Sequence, residues 1–195
     1  LEGGAIETDG QGTLIVTEEC LQSDIQCRNP GLDKAGYEAA FETYLGIKKT
    51  IWIIAGCEGD DTHGHIDDVA RFSAPGKVLL AFAEDSADPF HKISLENEQI
   101  LKSTKDAAGN PLAVTRLPMP REIWFGDERL PASYANFYIT NKTILVPTFN
   151  DVNDSRALTI IQDAFPKRTV IGIAATDLVL GFGTIHCLSQ QEPLL

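Results

Sequence analysis

The stretch DDTHGHIDD, residues 60–68, places four aspartates and two histidines in nine positions. Three kinds of chemistry or structure use such a set. The histidines and carboxylates could hold a metal ion. His65 and Asp67 could form a hydrogen-bonded pair that only secures a turn. Alternatively, His65 could act as a general base whose orientation and charge are set by nearby carboxylates. A zinc site needs a third and a fourth ligand, and beyond His63 and His65 the histidines left are His91 and His186. His91 follows DPF, in what reads as a surface loop. If residues 64–72 form a strand, His65, Asp67 and Val69 share one face, and Ile66, Ala70 and Phe72 share the other. A core-facing strand carries His and Asp side by side only when they are paired or working.

A general base needs a nucleophile, and Cys187 is the candidate. It sits in GFGTIHCLSQQEP, behind Gly181 and Gly183, which let a backbone or a ligand approach closely. Its neighbours His186, Ser189, Gln190 and Gln191 are polar, although a structural thiol is the competing reading of any single cysteine. Cys20 and Cys27 flank a loop and Cys57 ends a strand, with no glycine-rich approach. Glu2, in LEGG, sets a carboxylate against two glycines at the start of a first strand. It reads equally as a pocket residue or as a plain strand end. Lys77, in APGKVLL, lacks the GxxxxGK[ST] spacing of a phosphate loop.

The elements that must position these residues repeat along the chain. Residues 3–19, 64–85 and 135–151 each read as a hairpin: a β-rich run, a turn with Gly, Pro or Asn, and a second β-branched run. Leu14, Val78 and Ile144 hold equivalent places in the second runs, 64 and 66 residues apart. A helix is expected after each hairpin, over 33–46, 94–109 and 153–165, with Asp33 as N-cap and Gly46 as stop of the first. Strands are expected next, over 49–56, 112–119 and 168–175. A fourth unit opens with LGFGTIHCLSQ, and residues 118–131 read as a long proline-rich loop. The approximate repeats are 1–56, 61–119, 133–175 and a partial 178–195. Such units bury too little alone and need to pack on one another. The fold class is therefore α/β with mixed sheets.

Composition narrows the function classes. A formal charge of −12 offers none of the basic patches that nucleic acid requires. Apolar runs are strand-sized, which gives no candidate membrane span. The four cysteines form no CxxC pair, so reduced thiols and a cytoplasmic location are expected. The chain begins without methionine, inside what reads as a strand, and is expected to be a piece of a longer protein.

Four blocks in order, LEGGAIETDGQGTLIVTEECL, GDDTHGHIDDVARFSAPGKVLLAF, ERLPASYANFYITNKTILVPTFND and GFGTIHCLSQQEP, resemble the successive blocks of agmatine deiminases. These belong to the porphyromonas-type peptidylarginine deiminase family. The resemblance implies the pentein fold, an α/β propeller of five ββαβ modules, with about three and a half present in a single catalytic domain over 1–195. It implies Cys187 as nucleophile, His65 and Asp67 as the other catalytic residues, and Glu2 and Asp67 as substrate-binding residues. No metal and no cofactor are implied. A further carboxylate, from a W-x-R-D block, is expected ahead of residue 1, in missing N-terminal modules or a companion chain. Homo-oligomers are compatible with this picture.

The chemistry implied is attack of a thiolate on a clamped guanidinium, loss of ammonia, and hydrolysis of the resulting thiouronium. The aspartates would then serve a cation and a proton shuttle. Agmatine is the first choice of substrate, as a small dication. A peptidylarginine deiminase and a non-catalytic guanidinium-binding fragment are the alternatives.

Overall fold

The computed structural model describes residues 1–192; residues 193–195, the end of the partial repeat 178–195, lie outside the described residues. Three three-stranded sheets follow one another with one topology. The first holds β1 (Glu7–Thr8), β2 (Thr13–Thr17) and β3 (Lys49–Ile53). The second holds β4 (Ala70–Ala74), β5 (Lys77–Phe82) and β6 (Ala113–Pro118). A small hairpin of β7 (Trp124–Phe125) and β8 (Glu128–Arg129) precedes the third sheet, made of β9 (Tyr138–Ile139), β10 (Thr143–Thr148) and β11 (Thr169–Ala174). In each sheet the middle strand pairs antiparallel with its predecessor and parallel with its successor. Leu14, Val78 and Ile144 are each the second residue of a middle strand, and all three are buried.

The helices lie in the crossovers that parallel pairing requires. A short helix, α1 (Glu18–Gln22), follows β2 directly, and α2 (Lys34–Leu45) follows it. Asp33 caps α2 by accepting from Gly36 N–H at 2.8 Å, and Gly46 ends it with a left-handed φ of 69°. Next come α3 (Pro89–Ser103) and α4 (Asp154–Ala164). α3 packs on β3, β5 and β6, and α4 on β6 and β11, so each helix bridges two successive sheets. β2 is buried along its length: Ile15 faces the main core, while Leu14 and Val16 pack with Tyr37 and Phe41 of α2.

Several boundaries differ from the sequence reading. α3 starts at Pro89, five residues before the expected 94, because proline is favoured in a first helical turn and Asp88 accepts from Phe90 N–H there. His91 therefore lies in a helix and not in a surface loop. The span 118–131 is not all loop, since Pro118 ends β6 and β7–β8 form a hairpin. Residues 64–69 are not strand: Ile66–Asp68 form a 3-10 turn before β4. Glu2 does not open a strand either, because Gly3–Ala5 form another 3-10 turn. Cys57 lies beyond the end of β3 at Ile53. LGFGTIHCLSQ forms a 3-10 turn at Val179–Gly181 and further turns rather than a hairpin. No helix among the described residues is long and apolar enough to cross a membrane.

One buried ion pair ties the three sheets together. Arg71 of β4 donates through Nε to Glu7 Oε2 at 2.9 Å, and Glu7 Oε1 accepts from Phe72 N–H at 2.7 Å. The Arg71 Nη1 group donates to the carbonyls of Ala135 at 2.9 Å and Phe137 at 2.6 Å, just ahead of β9. Its guanidinium also lies 4.6 Å from the Phe137 ring centroid. Removing one partner of such a pair leaves a buried charge uncompensated. Glu7→Ala should therefore cost about 3–5 kcal/mol, read as a lowered midpoint in urea unfolding.

Candidate active site

Three separated segments meet in one cavity of about 380 Å³, whose lining includes Glu2, Asp61, His65, Asp67, His186 and Cys187. All four sequence-expected residues are there, although 3-10 turns rather than the expected strands deliver Glu2, His65 and Asp67. His65 reaches the cavity from just before a 3-10 turn and Asp67 from within it, not along one face of a strand.

The loop carrying His65 is held by another aspartate of the same stretch. Asp60 Oδ2 accepts from Gly64 N–H at 3.0 Å and from His65 N–H at 2.8 Å. Thr17 Oγ1 donates to the Gly64 carbonyl at 2.5 Å. The four aspartates thus divide their work. Asp60 shapes the loop, Asp61 lines the cavity, Asp67 enters its centre, and Asp68 is buried behind it.

Asp67 Oδ2 is surrounded by donors. His186 Nδ1 lies 2.7 Å away, Asn136 Nδ2 3.2 Å and Cys187 Sγ 3.4 Å. Asp67 Oδ1 is buried and has no hydrogen-bond partner, and the same holds for His65 Nε2. Unpartnered buried polar atoms are costly, so these two mark where a ligand's complementary groups belong. Asn136 organises the nucleophile's segment. Its Nδ2 also donates to Cys187 Sγ at 3.0 Å. Its Oδ1 accepts from Thr184 Oγ1 at 2.8 Å, His186 N–H at 3.0 Å and Cys187 N–H at 3.3 Å. These bonds explain why the Cys187 segment is a turn: its backbone donors are turned to a side-chain amide.

Two glycines are required by close approach. A Cβ at Gly4 would lie 2.5 Å from His65 Nδ1 and 3.0 Å from Asp67 Oδ2. One at Gly183 would lie 2.7 Å from the Cys187 Cβ. Glu2 lines the cavity, but Arg28 Nε donates to its Oε1 at 2.7 Å. Arg28 also donates to the Cys20 carbonyl at 3.0 Å and the Thr62 carbonyl at 2.6 Å, tying its own loop to the site's entrance.

The two adjacent carboxyls titrate in opposite directions. Burial raises the Asp67 carboxyl, but the His186 hydrogen bond and the charges of His186, Arg71 and His65 outweigh it, and its pKa is lowered. Asp68 is raised well above the ordinary value by burial and by the charges of Asp67 and Asp60. Burial also pushes the Cys187 thiol up, with Asp68 and Asp67 adding to it and the Asn136 hydrogen bond opposing. The site at rest pairs a protonated thiol with an ionised Asp67.

Asn136, Arg28 and the pairing of His186 with Asp67 were not found from sequence. Asn136 sits in ANFYITN as an ordinary polar residue beside a strand, and its partners lie about fifty and seventy positions away. In the sequence His186 is only a polar neighbour of Cys187. Lys77, set aside on spacing, does not line the cavity; it begins β5. A larger cavity of about 600 Å³ lies between the loop ahead of α3 and the segment that follows β6, lined by Glu84, Asp88, Arg121 and Trp124 among others. It holds neither of the unpartnered buried atoms.

The chain matches the Porphyromonas-type peptidyl-arginine deiminase family over residues 1–193. It belongs to that family. A Vibrio parahaemolyticus relative, provisionally named an agmatine deiminase, is 42% identical over 99% of this chain and 58% of its own length. An Enterococcus faecalis structure, described as agmatine deiminase catalysing its reaction, superposes with a TM-score of 0.92 at 39% identity. It covers 99% of this chain and 57% of that one. A C. jejuni agmatine deiminase structure with substrate bound gives 0.88 at 30% identity, covering 95% and 54%. The α/β sheets described above are thus those of the expected pentein-type fold. The chain spans somewhat under three-fifths of the relatives it matches.

Two outcomes test this account of the site. Asn136→Ala strips partners from the Cys187 segment and from Asp67 together, and should cost about 1–3 kcal/mol in urea unfolding. Asp68 gives a pH signature. Its folded-state pKa is raised, so above about pH 4 the unfolded chain has released a proton that the fold still holds. Stability is lost as pH rises toward the folded value. Asp68→Asn should therefore gain stability over wild type progressively from pH 4 to pH 7, in urea melts across that range.

Proposed function

We propose that this chain is the nucleophile-bearing part of a guanidine deiminase that hydrolyses agmatine to N-carbamoylputrescine and ammonia, as in polyamine biosynthesis. The observation that carries this reading is the pair of unpartnered buried atoms, Asp67 Oδ1 and His65 Nε2, on residues that line one cavity with Cys187. A guanidinium presents N–H donors in a planar fork, and a carboxylate oxygen accepts them with charge assistance. The cavity's carboxylates Glu2, Asp61 and Asp67 suit a dication better than a zwitterionic amino acid.

The electrostatics support a sequence of events. In the free protein burial, with the Asp67 charge adding to it, holds the Cys187 proton on sulfur. A guanidinium bound against Asp67 cancels that field, and only with substrate in place does the thiol pass its proton to His65. The thiolate adds to the guanidinium carbon. His65 delivers a proton to the departing nitrogen, ammonia leaves, and an S-alkylthiouronium remains on Cys187. His65 then takes a proton from water as the water adds to that carbon, and the thiolate is expelled, leaving a ureido product. His186, hydrogen-bonded to Asp67, fixes that carboxylate's orientation. Binding of the second cationic end and any further carboxylate belong to residues ahead of this chain in the relatives' order. A cytoplasmic location is part of this reading.

The test is colorimetric detection of ureido product, with the protein as its own gene encodes it, offered agmatine, arginine and a blocked arginyl peptide in parallel. Product from agmatine is expected. Product from the peptide alone would move the assignment to a peptidylarginine deiminase, and product from none would make this a guanidinium-binding fragment. Cys187→Ala should abolish turnover while keeping the wild-type melting profile. Substantial residual turnover in that variant would sink the covalent mechanism.

A further inference from the structure

We propose that Glu2, Cys20 and His65 form a binding site for a thiophilic divalent cation of the zinc class, and that filling it silences the cavity by withdrawing His65 from proton transfer. The second half of this proposal rests on the deiminase reading; the first does not.

One donor atom from each residue, a carboxylate oxygen, a thiol sulfur and a ring nitrogen, lies within 4.8 Å of the other two. The sequence made this set invisible, because Cys20 sits in α1, His65 in a distant loop and Glu2 before the first turn. Zinc ligands sit about 2.0–2.3 Å from the metal. Tetrahedral angles then put ligand atoms about 3.3–3.8 Å apart, so closing the site takes shifts of about 1 Å. His65 is more than nine-tenths buried and its Nε2 is unpartnered. Cys20 is buried and free, and its segment has no role in the catalytic chemistry above.

The surrounding charge favours a cation. Burial raises the Cys20 thiol to about 11, Arg28 opposes that, and the carboxylates of Glu2, Asp60 and Glu19 add to it. The same carboxylates that disfavour a bare thiolate would stabilise a dication beside it. Arg28, on Glu2 Oε1, works against binding and keeps the affinity moderate. Sulfur and imidazole donors select zinc over magnesium or calcium. On binding, the Cys20 S–H proton passes to solvent as the sulfur–metal bond forms, with no change of oxidation state. The cavity that Glu2 and His65 line leaves room for water as a fourth ligand. A metal held on His65 would stop it from exchanging protons with leaving group or water.

A rival cluster must be separated, because donor atoms of Asp67, Asp68 and Cys187 also lie within 4.8 Å of one another. The experiment titrates the metal-free protein with Co²⁺ alone, reading the thiolate-to-cobalt absorption band, and with Zn²⁺ alone by calorimetry. One equivalent is expected, with the band present in wild type and in Cys187→Ala and lost in Cys20→Ser. Cys20→Ala, checked by its melting profile, guards against a serine-specific folding defect. Zinc should inhibit agmatine turnover in wild type and at least tenfold less in Cys20→Ser, whose metal-free activity stays at the wild-type level. A band that survives in Cys20→Ser but vanishes in Cys187→Ala would place the metal on the rival cluster and overturn the proposal. No band in wild type would overturn it outright, and equal inhibition of both proteins would overturn the silencing role. No turnover in metal-free wild type would count against the deiminase reading and with it the silencing role. The binding measurement, made without substrate, would still decide the site.

Discussion

The arrangement depends on one buried guanidinium. Arg71 reaches from the second sheet to Glu7 of the first and to the carbonyls of Ala135 and Phe137 ahead of the third. The residue between those two carbonyls is Asn136. The group that locks three sheets together therefore also sets the backbone from which Asn136 holds Cys187 and Asp67. Arg71's charge reaches the site as well, helping to keep Asp67 ionised. A buried charge is tolerated when it is paired and hydrogen-bonded, and Arg71 divides its bonds between the Glu7 carboxylate and the carbonyls that flank Asn136.

The electrostatic design is a contrast between neighbours. Asp67 is surrounded by donors and its carboxyl is held below the ordinary range; Asp68 faces burial and two like charges, which push its carboxyl well above it. Adjacent carboxylates that both ionised would repel strongly, so one charge is retained where a ligand can meet it. With a resting thiol beside that charge, the chemistry waits for a cation. Metal binding at Cys20 would exploit the same negative field from the other side of His65, which makes that histidine the shared point of two competing ligands.

Distance along the chain separates everything that meets in the cavity. Asn136 contacts Asp67 across 69 positions, and His186 contacts it across 119. Contacts of this range form only once the sheets have stacked, so the site's geometry and the core's packing stand or fall together. The glycines at Gly4 and Gly183 carry the same dependence, because their missing Cβ atoms are needed only when His65, Asp67 and Cys187 have converged.

Read alone, the amino-acid sequence determined the repeated strand–strand–helix–strand order, the capping of α2 by Asp33 and Gly46, and the family. These are local or pattern-borne: β-branched alternation, cap chemistry and the order of four blocks need no knowledge of neighbours in space. It also named Glu2, His65, Asp67 and Cys187, through the resemblance rather than through the strand geometry used to argue for two of them. That geometry was overturned, since a histidine–aspartate pair at spacing two reads the same on a strand or at the cap and middle of a 3-10 turn. Asn136, the Arg28–Glu2 pair, the His186–Asp67 pair and the Cys20 cluster were decided by tertiary structure alone. Each depends on which side chains a fold brings within about 3–5 Å of one another, and hydrogen-bond energies vanish beyond such distances. No local pattern encodes that proximity.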